Sequence, residues 1–175
     1  MSTLQKADST PPPPETKMGR FLAERGILLK KQFREFAKVR AYPGTLAVST
    51  LIFEFPNSTE PNSYGVKVEH ENPDKWDETA LIDFDEMEEM LRAIKYLYEI
   101  AKEIEGKTGD YTEFLYSTKD RVRVGFYQTV DGTQRAFFDV QPRGGMLFIS
   151  FEQLREVFDG LREAYKHLKN SGAVA

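Results

Sequence analysis

A short segment that occurs twice is the feature that most constrains how this chain can fold. The first copy covers residues 79–86 and reads TALIDFDE, and the second covers residues 146–153 and reads MLFISFEQ. Each copy is an apolar run followed by an N-cap residue, Asp83 or Ser150. Glu86 and Gln153 stand three residues after the caps, which is the spacing of a capping box. We call each copy a joint, because it connects a predicted strand to a predicted helix. Two joints in the same order predict a chain built from two repeats.

The segments around the two joints predict the same order of elements in both halves. Alternating runs rich in β-branched and aromatic residues predict strands. The expected strands cover residues 27–42, 46–55, 64–71, 79–82, 111–118, 121–130, 133–141 and 146–149. Apolar residues at three- and four-residue steps predict helices over residues 84–105 and 151–169. Short turns between consecutive strands favour antiparallel meanders.

The predicted fold class is therefore α+β, with two antiparallel four-stranded meanders, each followed by an amphipathic helix (ββββα twice). The alternative is a single strongly bent sheet or barrel with a capping helix, as in pleckstrin-homology-like domains. Residues 1–19 include four consecutive prolines and little that could be buried, so they are predicted to be a disordered Pro-rich tail. Residues 20–175 are then expected to form one domain, with repeats at about 27–105 and 111–169.

Composition excludes several classes of protein. The chain has no cysteine, which excludes disulfides, thiolate metal sites and thiol catalysis. Its formal net charge of −4 gives no global attraction to nucleic acid or to an anionic membrane. No apolar run is long enough to cross a membrane, and the N-terminal residues lack the apolar region of a signal peptide. We expect no membrane partner and a cytoplasmic location, with export after removal of a signal left open.

Catalytic and metal-binding patterns are not found in the sequence. His70 lies between two glutamates on a predicted strand, without a second ligand at a recognisable spacing, so a solvated polar strand face is expected. The acidic residues at 83–89 lack the spacing of a calcium loop and fall on the first turn of a helix, where negative charge is stabilising. We predict no catalytic residue, no metal site and no cofactor, and hence a non-enzymatic binding module.

Basic and aromatic residues interleaved on the strands suggest a ligand. Single-stranded nucleic acid needs Lys and Arg for its phosphates and aromatic rings for its unstacked bases. We expect these side chains to share outward strand faces and to bind such a strand. The predicted binding residues are Arg34, Phe36, Lys38, Arg40, Arg123, Tyr127 and Arg135.

The sequence leaves a second class of function open. The apolar stripe of the first long helix, residues 87–104, is wide enough to suggest cover on more than one side. The alternative function is therefore a protein-interaction or oligomerisation domain, with a second copy of the chain as its partner and no nucleic-acid activity. A third reading places a small-molecule pocket between sheet and helix, lined by Met87, Met90 and Phe158.

The doubled ββββα plan resembles the Whirly family of single-stranded-DNA-binding proteins and, half by half, the transcriptional positive cofactor family. The resemblance covers about residues 27–169 and is one of topology. Residues 38–41, KVRA, occupy the place of the Whirly signature KGKAAL without its Gly and second Ala. The resemblance implies binding of single-stranded DNA by an oligomer. The joints and the segment YTEFLYSTKDRVRVGFYQ between them also resemble an uncharacterised family of bacterial proteins with no assigned activity.

Overall fold

The computed structural model describes residues 14–141 and 145–174, and its long elements follow the predicted order. The first half contains α1 (Lys17–Ala23), β1 (Lys30–Arg40), β2 (Thr45–Glu54), β3 (Ser63–Glu71), β4 (Glu78–Asp83) and α2 (Phe84–Ile104). The second half contains β5 (Thr112–Ser117), β6 (Arg123–Gln128), β7 (Gln134–Asp139), β8 (Leu147–Ile149) and α3 (Phe151–Asn170). The α+β class and the repeated ββββα arrangement are thereby confirmed.

The strands form two antiparallel sheets that meet at one edge. The first sheet has the order β1-β2-β3-β4, and the second has the order β5-β6-β7-β8. Just beyond β1, the Tyr42 N–H donates to the Phe148 carbonyl at 3.0 Å, and the Phe148 N–H donates to the Tyr42 carbonyl at 2.8 Å. We call this bridge between β1 and β8 the seam. It makes the outer faces of the two sheets neighbours on one continuous surface.

The long helices pack on the inner side of both sheets and bind the two repeats together. Helix α3 lies mainly against β1 and β2, whereas α2 contacts β5 and β6 as well as its own half, and the two helices touch each other. A single hydrophobic core results, which includes Val48, Met90, Phe126 and Leu161. The repeats are therefore halves of one domain and share its interior.

Both predicted capping boxes are formed. The Gln153 N–H donates to Ser150 Oγ at 3.1 Å, and the Ser150 N–H donates to Gln153 Oε1 at 2.8 Å. At the first joint the Asp83 N–H donates to Glu86 Oε2 at 3.3 Å. Each box satisfies N–H groups at a helix start that would otherwise lack acceptors.

Asp83 also holds a helix that the sequence did not predict. Its carboxylate accepts the backbone N–H groups of Lys17 at 2.7 Å and of Met18 at 3.1 Å, at the start of α1. Met18 is fully buried and packs with Leu51 and Phe53 on the outer face of the first sheet. The prediction of disorder through residue 19 is therefore wrong from Thr16 onward, since the N-cap Thr16 is itself buried. Residues 1–13 of the predicted tail lie outside the described residues.

A β-bulge changes the faces of β1. The pairing of β1 with β2 shifts register between Glu35 and Ala37. Because side chains alternate along a strand, one extra residue reverses the alternation beyond it. Arg34 consequently lies on the side of α3, opposite Thr50, whereas Lys38 and Arg40 lie on the outer side. The prediction of one continuous basic face on β1 is wrong for this reason.

Asp83 should contribute more to stability than the equivalent Ser150. We expect Asp83→Ala to lower the free energy of unfolding by about 3 kcal/mol, because a helix cap and two bonds from α1 to a buried carboxylate are lost together. The matched change Ser150→Ala removes only a cap and should cost about 1 kcal/mol. Urea unfolding followed by circular dichroism measures both values. Equal losses of unfolding free energy in the two variants would show that the hydrogen bonds between α1 and Asp83 do not stabilise the fold.

Candidate nucleic-acid interface

The outer face of the second sheet carries a row of apolar and aromatic residues. Strand register places the members of this row side by side on β5, β6, β7 and β8. Tyr42 extends the row across the seam to the first sheet. The row consists of Leu115, Gly125, Phe137, Phe148 and Tyr42. Together with Tyr111 and Tyr127, which lie beside it, we call it the aromatic face.

Gly125 provides the space that the centre of the row needs. A Cβ atom at this position would lie 2.1 Å from the Phe114 carbonyl oxygen and 2.9 Å from Phe137 Cζ. The Phe137 ring therefore lies over the bare backbone of Gly125, and it is fully buried. A glycine within a strand commonly marks such a close approach. Phe137 forms the base of the aromatic face, and the more exposed rings surround it.

Three tyrosines present the accessible part of the aromatic face. Tyr127 stacks on Tyr111, with ring centroids 5.8 Å apart, and it meets Phe148 edge-on at 6.3 Å. Tyr42 is 76% exposed and Tyr111 is 57% exposed. The Tyr111 hydroxyl donates to Glu113, and desolvation together with this bond raises the pKa of Tyr111 above its ordinary value. The phenol therefore stays neutral at physiological pH, and it would not repel an anionic ligand.

Arginines border the aromatic face on both sides of the seam. Arg135 is directly opposite Tyr127 in the sheet and is exposed. Arg40 is exposed on the first sheet, two residues before Tyr42. Within the described part of the chain, neither of these two arginines forms an ion pair, whereas Arg123 is bound to Asp139 and Lys38 is bound to Glu71 at 2.7 Å. Arg40 and Arg135 therefore provide the uncompensated positive charge.

The structure separates the seven predicted binding residues. Arg40, Arg123, Tyr127 and Arg135 lie on or beside the aromatic face, and Lys38 lies on the same outer side of the first sheet. Arg34 and Phe36 lie apart from them, on the side of α3.

Phe36 is occupied by packing within the domain. Its half-buried ring lies 5.5 Å from the His167 ring. The Arg34 guanidinium lies over the Phe36 ring, at 5.3 Å from its centroid. Sequence reasoning did not include Tyr42, Tyr111 and Phe148 among the binding residues. Their alternation with buried neighbours was a usable signal, but their assembly into one face depends on strand pairing.

His70 is not on a solvated face, contrary to the sequence prediction. Its side chain is 1% exposed, because it shares the inner face of β3 with Val66 and Val68. The ring Nε2 lies 2.8 Å from the Pro43 carbonyl oxygen, and Nδ1 lies 3.5 Å from the Glu78 carboxylate. Since Pro43 follows Tyr42 directly, His70 braces the turn that carries the exposed ring at the seam.

Buried carboxylates near the first joint have structural partners. Glu86 accepts the Lys119 N–H at 2.7 Å, and Asp120 accepts the Leu81 N–H at 2.7 Å. Burial raises the pKa of both Glu86 and Asp120 above the ordinary carboxyl range. These bonds tie the β5–β6 turn to the first joint. No group of three or more His, Cys, Asp or Glu side chains in the described ranges is placed to hold a metal ion.

The apolar stripe of α2 is occupied within the chain. Met87, Met90 and Ile94 are fully buried in the shared core, and Leu97 is nearly so. The stripe that was expected to drive oligomerisation therefore packs internally, and the two methionines are core residues. Phe158 also packs against this core. Among residues 14–141 and 145–174, no helix is both long and apolar enough to span a membrane.

Comparison with known proteins yields no relative: no family model, no curated protein and no solved structure matches this chain. The resemblance to the Whirly family accordingly stays a prediction from topology.

The raised pKa of Glu86 predicts a specific pH dependence of stability. In the interval between the ordinary carboxyl pKa and the raised value, the folded protein holds more protons at Glu86 than the unfolded chain does. The contribution of Glu86 to the free energy of unfolding is therefore greatest below that interval and decreases as the pH rises through it. We expect Glu86→Gln to remove this decrease. Between about pH 4 and pH 7, the free energy of unfolding of the Glu86→Gln variant should fall less, or rise more, than that of the native protein.

The matched control for this change is Glu89→Gln, an exposed position on the same helix. Its stability should follow the native pH profile. Urea unfolding at a series of pH values measures all three proteins. A native-like slope in Glu86→Gln would show that burial of this carboxyl is not reflected in the stability of the fold.

Proposed function

We propose that this protein is a non-enzymatic module that binds single-stranded nucleic acid through the aromatic face. The proposal rests on one observation: accessible tyrosine rings lie on an outer sheet face beside two arginines that have no carboxylate partner in residues 14–141 and 145–174. Each base that stacks on an aromatic ring contributes about 1–3 kcal/mol, and nearby arginines attract the phosphates. Tyr42, Tyr111 and Tyr127 supply the rings, and Arg40 and Arg135 supply the charge.

The acidic net charge of the chain does not oppose this binding mode. Several of its carboxylates are already bound within the domain. Asp83 accepts N–H groups of α1, Asp85 pairs with Lys17 at 2.8 Å and with Lys119 at 3.4 Å, and Glu86 accepts the Lys119 N–H. Negative charge is thus partly compensated at the first joint, and positive charge remains available beside the aromatic face.

The aromatic face favours unpaired bases over a duplex. In a duplex the faces of the bases are stacked on one another, so a protein reaches only their edges in the grooves. A sheet that offers rings in a row contacts the faces of bases, which are accessible only in a single strand. We therefore expect the protein to prefer a single strand to the duplex of the same sequence.

Fluorescence anisotropy tests the proposal. A labelled mixed-sequence single strand and its duplex are titrated with the protein at low and moderate salt. The single strand should bind more tightly, and the logarithm of its affinity should fall linearly with the logarithm of the salt concentration. Absence of binding to the single strand at low salt would overturn the proposal and leave the protein-interaction alternative.

Matched variants locate the binding surface. Tyr127→Ala should weaken binding by about 1–3 kcal/mol through lost stacking. Arg135→Ala should weaken binding and reduce the salt slope by about 0.7, because one phosphate contact is lost. The controls Tyr96→Ala, on the exposed side of α2, and Arg34→Ala, on the α3 side of β1, should bind as the native protein does. Losses of the same size in the controls would place the binding surface elsewhere.

A further inference from the structure

A buried aspartate holds one arginine in a fixed orientation at the border of the aromatic face. Arg123 on β6 is directly opposite Asp139 on β7, and Gly125 of the aromatic row follows two residues later. Asp139 Oδ2 accepts the Arg123 Nε–H at 3.0 Å and also accepts from Nη2. The Asp139 side chain is 2% exposed, whereas the Arg123 side chain remains 33% exposed. The carboxylate is therefore fixed, and the guanidinium reaches solvent.

The hydrogen bonds of this pair leave a defined set of donors. A guanidinium has five N–H groups in one plane, and Asp139 occupies one on Nε and one on Nη2. The remaining N–H groups on Nη1 and Nη2 include two that point in parallel away from the carboxylate. Such a fork matches two neighbouring acceptors on a planar ligand. Asp139 thus turns a flexible cation into an oriented pair of donors.

The buried oxygen Asp139 Oδ1 supports a role beyond folding. It has no hydrogen-bond partner within the described residues. A buried acceptor without a partner is costly, and native proteins seldom contain one without a reason. Folding alone would be served as well by an apolar residue at this position. A role in orienting Arg123 accounts for an aspartate at position 139.

Compensated charge and position both favour a base over a phosphate as the ligand of Arg123. Asp139 neutralises the arginine, so its attraction to a phosphate is weak compared with that of Arg40 or Arg135. Arg123 lies on the outer face of β6, four residues from Tyr127 and on the other side of the Gly125–Phe137 pair. A single strand with one base stacked on Tyr127 would cross the row and bring the edge of a following base to Arg123.

We propose that Arg123 recognises guanine and that Asp139 is its positioning residue, an inference that rests on the proposed binding of single strands. Guanine presents two adjacent acceptors, O6 and N7, which arginine contacts in a bidentate manner. Adenine presents an acceptor beside a donor on the same edge, and thymine presents a lone acceptor beside its methyl group. A fork of two donors therefore favours guanine over adenine and thymine.

Anisotropy with substituted oligothymidines tests the inference. Four strands of equal length carry thymine, guanine, adenine or cytosine at one central position. The strand with guanine should bind roughly tenfold more tightly than the strands with thymine or adenine. Replacing this guanine with 7-deazaguanine, which lacks the N7 acceptor, should remove the preference. A preference for cytosine, or a guanine preference that survives the loss of N7, would overturn the assignment.

Variants of the pair separate recognition from general binding. Arg123→Lys keeps the charge but has no planar fork, so the ratio of its affinity for the guanine strand to its affinity for plain oligothymidine should fall to about one. Asp139→Asn should reduce the preference, because a neutral amide holds the guanidinium less firmly. Thermal unfolding checks that both variants are folded. If Asp139→Asn does not fold, the result for Arg123→Lys decides the test. The control Arg135→Lys should retain the guanine preference.

The outcomes distinguish this inference from the function on which it rests. If no oligothymidine binds, the proposed function fails. If all four strands bind equally and more tightly than a duplex, the proposed function stands and guanine recognition is wrong. Retention of the full preference in Arg123→Lys would likewise overturn the role of Arg123.

Discussion

Each four-stranded sheet of this domain depends on a helix from the other half to bury its inner face. Helix α3 covers β1 and β2, and α2 reaches β5 and β6, so neither repeat has a complete core by itself. The contact between the two helices closes the interior. Burial of apolar area is the main source of stability in such a domain. The arrangement uses the apolar sides of both long helices internally, and the outer faces of the sheets remain accessible to a ligand.

The same packing positions the aromatic face. Gln153, whose side chain forms the capping box of α3, also donates from Nε2 to the Arg40 carbonyl oxygen, and this bond joins the second joint to the end of β1. The His70 ring contacts the Pro43 carbonyl oxygen in the turn that follows β1. Tyr42 is consequently supported from two directions before it pairs with Phe148. The backbone that carries this 76% exposed ring is thereby held in place, which limits the backbone entropy that a ligand would have to remove on binding.

Local signals in the sequence were sufficient to predict the element order, because caps, turns and hydrophobic periods act within a few residues. Features that depend on distant partners were not accessible in this way. The bulge after Glu35 exists only in relation to β2, and α1 depends on Asp83, more than sixty residues away. His70 has polar neighbours in sequence but apolar neighbours in space. The candidate site shows the same division: Tyr127 and Arg135 follow from strand alternation, whereas their meeting with Tyr42 requires the seam between the sheets.

The two outer faces differ in what covers them. On the first sheet, Met18 of α1 covers Leu51 and Phe53, and the Lys67 ammonium lies 5.0 Å from the centroid of the Phe33 ring. On the second sheet the corresponding face has no such helix among the described residues. Its central ring, Phe137, is fully buried, whereas Tyr42 and Tyr111 at its border are more than half exposed. Helix α1 thus covers part of the outer face of the first repeat, whereas the outer face of the second repeat presents an aromatic surface, for which we propose a single strand as the ligand.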